Sequence, residues 1–271
     1  MNKRKILVLF CVLAIGAILA YVSYYVQAQK NRSEIYEQLS QEVTSELTVE
    51  IEEEVEDVSE VEVVESPDEV IEEVEEIEEV IGDIDIDFDE LKALNEDIYA
   101  WIDIPGTEVS YPILQHPTDD WYYLDYTVEH VNGLPGSIYT EGTYVGKDFS
   151  EFNTVIYGHN MNNGTMFGTL KLYKDEEYRQ EHSEIYIYTE TDIYVYDIYA
   201  TVVYDDRHIP WTYKEEASYL SFVTSLSNSN DLSNYINSEM TLTSESQLIT
   251  LSTCVANMTN NRYLVVAVRR D

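Results

Sequence analysis

The pattern of apolar and polar positions divides the chain into three parts. Residues 6–26 form an apolar run broken only by Gly, Ser and Tyr. As a helix rising about 1.5 Å per residue, such a run spans a hydrocarbon core of roughly 30 Å. Glu dominates the next part, and short apolar stretches separated by turn residues follow from Asp87. We expect a cytoplasmic tip and transmembrane anchor at 1–28, an acidic stalk at 29–86 and a folded domain at 87–271.

The charges around the apolar run predict its orientation. Lys3, Arg4 and Lys5 precede it, whereas Lys30 and Arg32 follow it. The positive-inside rule therefore favours a cytoplasmic N-terminus and an extracellular folded domain, held on the plasma membrane by one helix. A cleaved signal peptide ending near residue 28 is the alternative, but the apolar stretch of such a peptide usually has only about 7 to 15 residues.

The acidic part reads as a spacer. Its apolar residues recur at helical spacing, as at Val70, Val74 and Ile77. Glu pairs four residues apart repel each other, which opposes a helix. We predict a charged, extended and disordered stalk, with a helical or partner-binding stalk as the alternative.

The folded domain shows the pattern of a β protein. Asp87 is an N-cap candidate before a short helix-like stretch. Short strand-like stretches separated by turn residues lie at 100–104, 111–114, 137–139, 154–157, 185–189, 193–204, 248–252 and 263–268. Several of them alternate apolar and polar residues, which is typical of a half-buried strand. Helical stretches are predicted near 166–173 and 214–227. Many short strands with few helices indicate a mainly β fold, either a barrel or a sandwich.

Charge and composition exclude several functions. The net charge is -38, and every charged residue between positions 33 and 91 is acidic. Such a chain repels polyanions, so we predict no nucleic-acid partner. No zinc or calcium motif is present, and we predict no metal and no cofactor. The two cysteines are Cys11, inside the apolar run, and Cys254, so no disulfide framework is expected.

Three polar residues stand at the ends of apolar strands: His159, Cys254 and Arg262. A thiol at neutral pH is mostly protonated and benefits from a neighbouring base or cation. Histidine can pass a proton to a departing amine, and arginine can hold an oxyanion. Acyl transfer through a thioester would use all three groups. From composition alone, a structural role for the lone cysteine stays open.

The motifs around these residues closely resemble those of class B sortases. The matching segments follow the family's order and include YGHNM at 157–161, TLSTC at 250–254, WIDIPGT at 101–107 and YPI at 111–113. The resemblance extends from Leu91 to Arg269. It implies a closed eight-stranded β-barrel, with an N-terminal helix and a helix between strands six and seven.

The resemblance also implies roles for the residues at matching positions. Cys254 would be the nucleophile, His159 the general acid/base and Arg262 the residue that positions the substrate or its oxyanion. Substrate-side positions would be Thr253, Ser252 and Asn160, although a plain strand role for Thr253 stays open. Some class B members carry an acidic residue two places after the cysteine, where this chain has Ala256.

The implied reaction is that of a cysteine transpeptidase of a Gram-positive cell envelope. The thiolate attacks a Thr carbonyl in the C-terminal sorting motif of an exported protein, and an amine resolves the thioester. The acceptor would be a peptidoglycan precursor or, in a pilus-assembling enzyme, a pilin lysine. The alternatives are a Cys/His cell-wall peptidase and a non-catalytic barrel that serves in adhesion.

Overall fold

The computed structural model describes residues 3–58, 86–209, 216–227, 231 and 233–270. Within these ranges, the side chains of residues 3–13, 42–58, 208 and 216–219 are outside the description. The helices are α1 (Lys3–Val58), α2 (Phe88–Leu94), α3 (Tyr122–Asp125), α4 (Glu176–Glu181) and α5 (Glu216–Leu226), with 3-10 turns at Leu170–Lys174 and Asp206–His208. The strands are β1 (Ile98–Ile104), β2 (Val109–Leu114), β3 (Ile138–Tyr139), β4 (Asn153–Tyr157), β5 (Glu184–Tyr188), β6 (Ile193–Asp205), β7 (Tyr235–Ile236), β8 (Leu248–Val255) and β9 (Met258–Arg269).

The sheet closes on itself as a barrel. Its strands are hydrogen-bonded in the order β5-β1-β2-β3-β4-β8-β9-β6, and β6 pairs again with β5. The β2–β3 and β4–β8 pairs are parallel, and the other pairs are antiparallel. The short strand β7 adds to β6 outside this ring. The predicted closed eight-stranded barrel is confirmed, as is the helix, α5, that follows its sixth strand.

Several strands bury both of their faces, which explains their nearly continuous apolar sequences. In β9, Val265 packs in the core that fills the barrel, whereas Leu264 and Val266 pack in a second core. This second core also contains Phe222 and Leu226 of α5. Alternate side chains point to opposite faces of a strand, so the barrel interior and the α5 side share one strand.

Helix α2 opens the barrel domain where the sequence predicts. The Asp87 side chain caps it by accepting a hydrogen bond from the Glu90 amide at 2.9 Å. Phe88 and Leu91 are its buried residues. A carboxylate at the N-cap satisfies an amide that has no partner within the helix, and it therefore fixes the start of the helix.

The first part of the predicted stalk has a different structure from the extended spacer. Helix α1 continues to Val58, and Tyr36 on it is 3% exposed because it packs into the barrel core, with Ile35 and Leu39 beside it. These apolar residues offset the repulsion between nearby acidic groups. The rest of the predicted stalk, at 59–85, lies outside the described residues, and the three-part division of the chain stays a prediction.

The predicted anchor occupies the start of α1. Within the described residues, no helix combines the length and the apolar character that a membrane crossing requires.

Candidate active site

The register of the last two long strands brings Cys254 and Arg262 together. Cys254 near the end of β8 lies directly opposite Arg262 in β9. Directly opposite residues of an antiparallel pair have Cβ atoms about 5 Å apart. The Cys254 side chain is exposed, and Arg262 is half-buried. The thiol therefore meets solvent beside a fixed positive charge.

The parallel neighbour β4 brings His159 to the same edge. Tyr157 is paired with Ser252, so the chain beyond β4 continues alongside the end of β8. Two hydrogen bonds tie these ends together. The Thr253 hydroxyl donates to the Gly158 carbonyl at 2.7 Å, and the Asn160 side-chain amide donates to the Cys254 carbonyl at 2.8 Å. His159 is thereby held between two residues that are each bonded to the cysteine strand.

The His159 ring has a defined orientation. Its Nε2 lies 2.8 Å from the backbone carbonyl oxygen of Leu124. A carbonyl oxygen only accepts hydrogen bonds, so Nε2 carries the hydrogen. Nδ1 is then the nitrogen that is available to exchange a proton with a reacting group.

The Arg262 guanidinium is held by groups from two directions. Its Nη2 lies 3.3 Å from Asp206 Oδ2, and its Nη1 donates to the carbonyls of Thr259 and Asn261 at 3.4 and 3.2 Å. Asp206 belongs to the 3-10 turn after β6, which is paired with β9. These contacts restrict the head of the side chain on the wall of the site.

The three side chains lie at one cleft of about 590 Å³. Cys254, His159 and Arg262 all line it, together with Ser252 and Thr253. A second cleft, of about 1130 Å³, lies between α1 and the barrel and is lined by His159 and Asn160. His159 therefore lines two clefts, one of which contains the thiol.

The family model of the sortase domain matches residues 102–270, which is more than half of the chain. This chain belongs to the sortase family. It is 31% identical to sortase B of Staphylococcus aureus over 186 residues, which are 66% of this chain and 73% of that protein.

Solved structures agree with this assignment. Sortase B of Clostridium perfringens superposes with a TM-score of 0.61 at 26% identity, covering 68% of this chain and all of that one. A Streptococcus pyogenes class B sortase involved in pilus biogenesis superposes with a TM-score of 0.58 at 26% identity, covering 68% of this chain and 98% of that one. The resemblance to class B and the expectation of a cysteine transpeptidase are therefore confirmed.

In this sortase the three positions predicted on the substrate side differ in their surroundings. Thr253 and Ser252 are 3% and 2% exposed. The Thr253 hydroxyl is already bonded inside the protein, and Asn160 lines the second cleft rather than the first. Contact of these side chains with substrate stays a prediction.

Glu141 forms part of the wall of the thiol-containing cleft. Trp121 Nε1 donates to its Oε1 at 2.9 Å, and the Tyr157 hydroxyl donates to its Oε2 at 3.2 Å. Burial raises the pKa of Glu141 above its usual value, and the two hydrogen bonds oppose the shift. The carboxylate thus orders two aromatic residues of the wall.

Sequence reasoning missed two partners of the sortase site. Leu124 acts through its backbone carbonyl, and a backbone role leaves no signal in side-chain identity. Asp206 lies in a loop far from Arg262 in sequence, and it resembles any other acid of this acidic chain. The pairing of β6 with β9 is what would have revealed it.

Proposed function

We propose that this sortase cleaves a C-terminal sorting motif at a Thr carbonyl and transfers the exported protein to a cell-wall amine. The observation that carries the proposal is the cleft in which Cys254 lies opposite Arg262 and beside the segment of His159. A nucleophile, a proton carrier and a fixed cation around one cavity are the groups that acyl transfer requires.

The proposed chemistry follows from the orientation of each group. His159 Nδ1 takes the proton of the Cys254 thiol, and the resulting thiolate attacks the Thr carbonyl carbon. Arg262 stabilises the negative charge that develops on the carbonyl oxygen. The His159 Nδ1–H gives its proton to the departing amine as the peptide bond breaks, which leaves a thioester. An incoming amine then attacks the thioester, gives its proton to Nδ1 and releases Cys254 as a thiolate.

The second cleft gives the acceptor a route to the same histidine. The donor peptide would occupy the cleft that contains the thiol, and the amine would approach His159 from the cleft beside α1. We propose a peptidoglycan-precursor amine as the acceptor. A pilin lysine is the alternative, and the similarity to the Streptococcus pyogenes enzyme involved in pilus biogenesis is the reason to test it.

We also propose that α1 begins as a membrane anchor, with the barrel outside the cell. Support comes from the apolar run and from its exposed side chains, which include Ile18, Leu19 and Val22. Buried Tyr36 lies ten positions after Val26, the end of the run, which is about 15 Å along a helix. The barrel would therefore lie close to the membrane surface. Protease treatment of intact cells should degrade the barrel and leave the cytoplasmic N-terminal tip intact, because the membrane shields the tip.

The transfer reaction is tested by removing the thiol. Cys254→Ala should abolish the acyl-enzyme seen by mass spectrometry and lower peptide transfer to the background rate, because no thioester forms. Cys11→Ala removes the other cysteine and should behave like the wild type. Cleavage of a sorting-motif library by Cys254→Ala at the wild-type rate would exclude the proposed mechanism.

A separate experiment addresses the acceptor. Asn162 lines the second cleft and is exposed, so Asn162→Trp should narrow the cleft without disturbing the core. We expect a higher KM for the amine and an unchanged rate of thioester hydrolysis. Products formed with a wall-precursor amine and a pilin peptide present together identify the preferred acceptor. A loss of hydrolysis equal to the loss of transfer would contradict the proposed route.

A further inference from the structure

Helix α1 contacts the segment that holds the catalytic histidine. This segment, residues 122–137, includes α3 and continues to the start of β3. Arg32 and Tyr36 are one helical turn apart on α1. Arg32 Nε donates to the Leu134 carbonyl at 2.6 Å, and the Tyr36 hydroxyl donates to the Gly136 carbonyl at 2.6 Å.

The Tyr36 hydroxyl joins further parts of the same segment. It accepts a hydrogen bond from the Val128 amide at 2.9 Å and lies 2.9 Å from Ser137 Oγ. The Ser137 hydroxyl in turn donates to the Tyr126 carbonyl at 2.9 Å. Burial raises the pKa of Tyr36 well above its usual range, so the hydroxyl stays protonated and keeps its donor. One buried phenol thus links several backbone groups of the segment, in addition to the bond from the Ser137 amide to the Tyr123 carbonyl at 2.9 Å.

Gly136 connects this cluster to the active site. Its φ is +67°, and a Cβ on it would lie 2.6 Å from the Leu124 carbonyl oxygen and 3.2 Å from His159 Cδ2. The Gly136 backbone therefore packs directly against the carbonyl that accepts from His159 Nε2. A shift of residue 136 changes the position of that carbonyl, because close-packed atoms leave no room for independent movement.

We infer that Tyr36 is a positioning residue for His159, acting through Gly136 and the Leu124 carbonyl. Its contacts hold the carbonyl where it keeps the hydrogen on Nε2 and leaves Nδ1 for proton transfer. Helix α1 is therefore part of the catalytic apparatus as well as a connection to the predicted anchor. The inference rests on the proposed function, since it assigns His159 the proton transfer in that reaction.

Tyr36→Phe on the full chain tests the inference. We expect kcat for peptide transfer to fall about tenfold, part of the roughly hundredfold that a 1 Å misplacement can cost. KM for the sorting peptide should stay within about twofold, because Tyr36 lines the second cleft and not the one that contains the thiol. Thioester formation in the absence of amine should slow as transfer does, which excludes an effect on the acceptor alone. The pH dependence of kcat should also shift, since the Leu124 carbonyl that accepts from His159 is no longer held in place.

Tyr178→Phe is the matched control. The Tyr178 hydroxyl donates to the carbonyl of another positive-φ glycine, Gly106, also at 2.6 Å, and neither residue lines either cleft. This variant should keep the wild-type kcat and pH profile. If Tyr36→Phe fails to fold, Ser137→Ala removes the hydroxyl that bonds to Tyr36 and to the Tyr126 carbonyl. The same kinetic and pH measurements on this variant then test whether the cluster positions His159.

A readout without substrate separates this inference from the proposed function. In 15N-histidine-labelled protein, His159 of the wild type should show the Nε2–H form, and Tyr36→Phe should show a mixture of tautomers. If the wild type lacks transfer activity but the His159 spectrum still differs between it and Tyr36→Phe, only the proposed function is refuted. An unchanged His159 spectrum and kcat in Tyr36→Phe, or equal losses in Tyr178→Phe, would overturn the inference.

Discussion

Two threonines of β8 offer a matched test of how the active-site strands are held. The Thr253 hydroxyl donates to the Gly158 carbonyl at 2.7 Å, and the Thr250 hydroxyl donates to Asn153 Oδ1 at 2.7 Å. Both threonines are buried, and both bonds join β8 to the β4 segment. The two bonds differ in their distance from the active site, because only Gly158 is next to His159 in the chain. Thr253→Val and Thr250→Val therefore remove the same kind of bond at different distances from the site.

The expected magnitudes follow from this geometry. Thr250→Val leaves the buried Asn153 oxygen without this partner, and Thr253→Val does the same to the part-buried Gly158 carbonyl. We expect each to lower the free energy of unfolding by about 1–3 kcal/mol, with Thr253→Val at the lower end. For a domain of this size, each 1 kcal/mol lowers Tm by about 2–4 °C. Only Thr253→Val should also lower kcat, by about tenfold, because only its bond fixes the residue before His159. KM should not change, since the hydroxyl is already used inside the protein.

Denaturant unfolding and peptide-transfer kinetics of both variants provide the assay. Thr253→Ser keeps the hydroxyl and should recover most of kcat. A large rise in KM with an unchanged kcat would show that the Thr253 hydroxyl contacts the substrate, and the strand-tie explanation would then be wrong. Equal losses of kcat in Thr253→Val and Thr250→Val would also refute it, because a general loosening of the barrel would explain both.

Three further variants test other contacts of the site. Burial raises the pKa of Glu141 in the folded state, so the folded state binds more protons than the unfolded state. Stability should therefore fall as pH rises from about 4.5 through the folded pKa. Glu141→Gln should flatten this dependence of Tm on pH. Asp206→Asn removes the carboxylate beside half-exposed Arg262 and should lower kcat/KM by no more than about fivefold, since such pairs contribute up to about 1 kcal/mol; a loss above a hundredfold would require a direct role in catalysis. Gly158→Ala places a Cβ 2.5 Å from Ile138 Cδ1 and 2.7 Å from Phe167, and it should lower the free energy of unfolding in denaturant by about 1–3 kcal/mol. The control Gly142→Ala meets only the Gln115 side chain, at 3.2 Å, and should lower it by less.

Local patterns predicted much of the barrel. Each of the eight predicted strand stretches overlaps a strand of the closed sheet, because a short apolar or alternating run between turn residues is a property of neighbouring residues. Asp87 begins α2 for a similarly local reason. The stretch after residue 29 was harder to predict. Its charge favours an extended chain, and the burial of Tyr36 against the barrel is a tertiary contact that its own sequence does not reveal.

The sequence by itself determined the chemical types at the site and, through its motifs, the family. Cys254 lies near the end of β8 and His159 just beyond β4, as predicted, whereas Arg262 lies inside β9, which begins at Met258 rather than at residue 263. The side-chain type fixes which chemistry is possible, and the surroundings tune its reactivity. The tertiary structure decided their surroundings. Strand pairing set Arg262 opposite Cys254, and the 122–137 segment brought the Leu124 carbonyl to His159. Such contacts join residues far apart in the chain through backbone atoms that every residue shares, so only the folded arrangement specifies them.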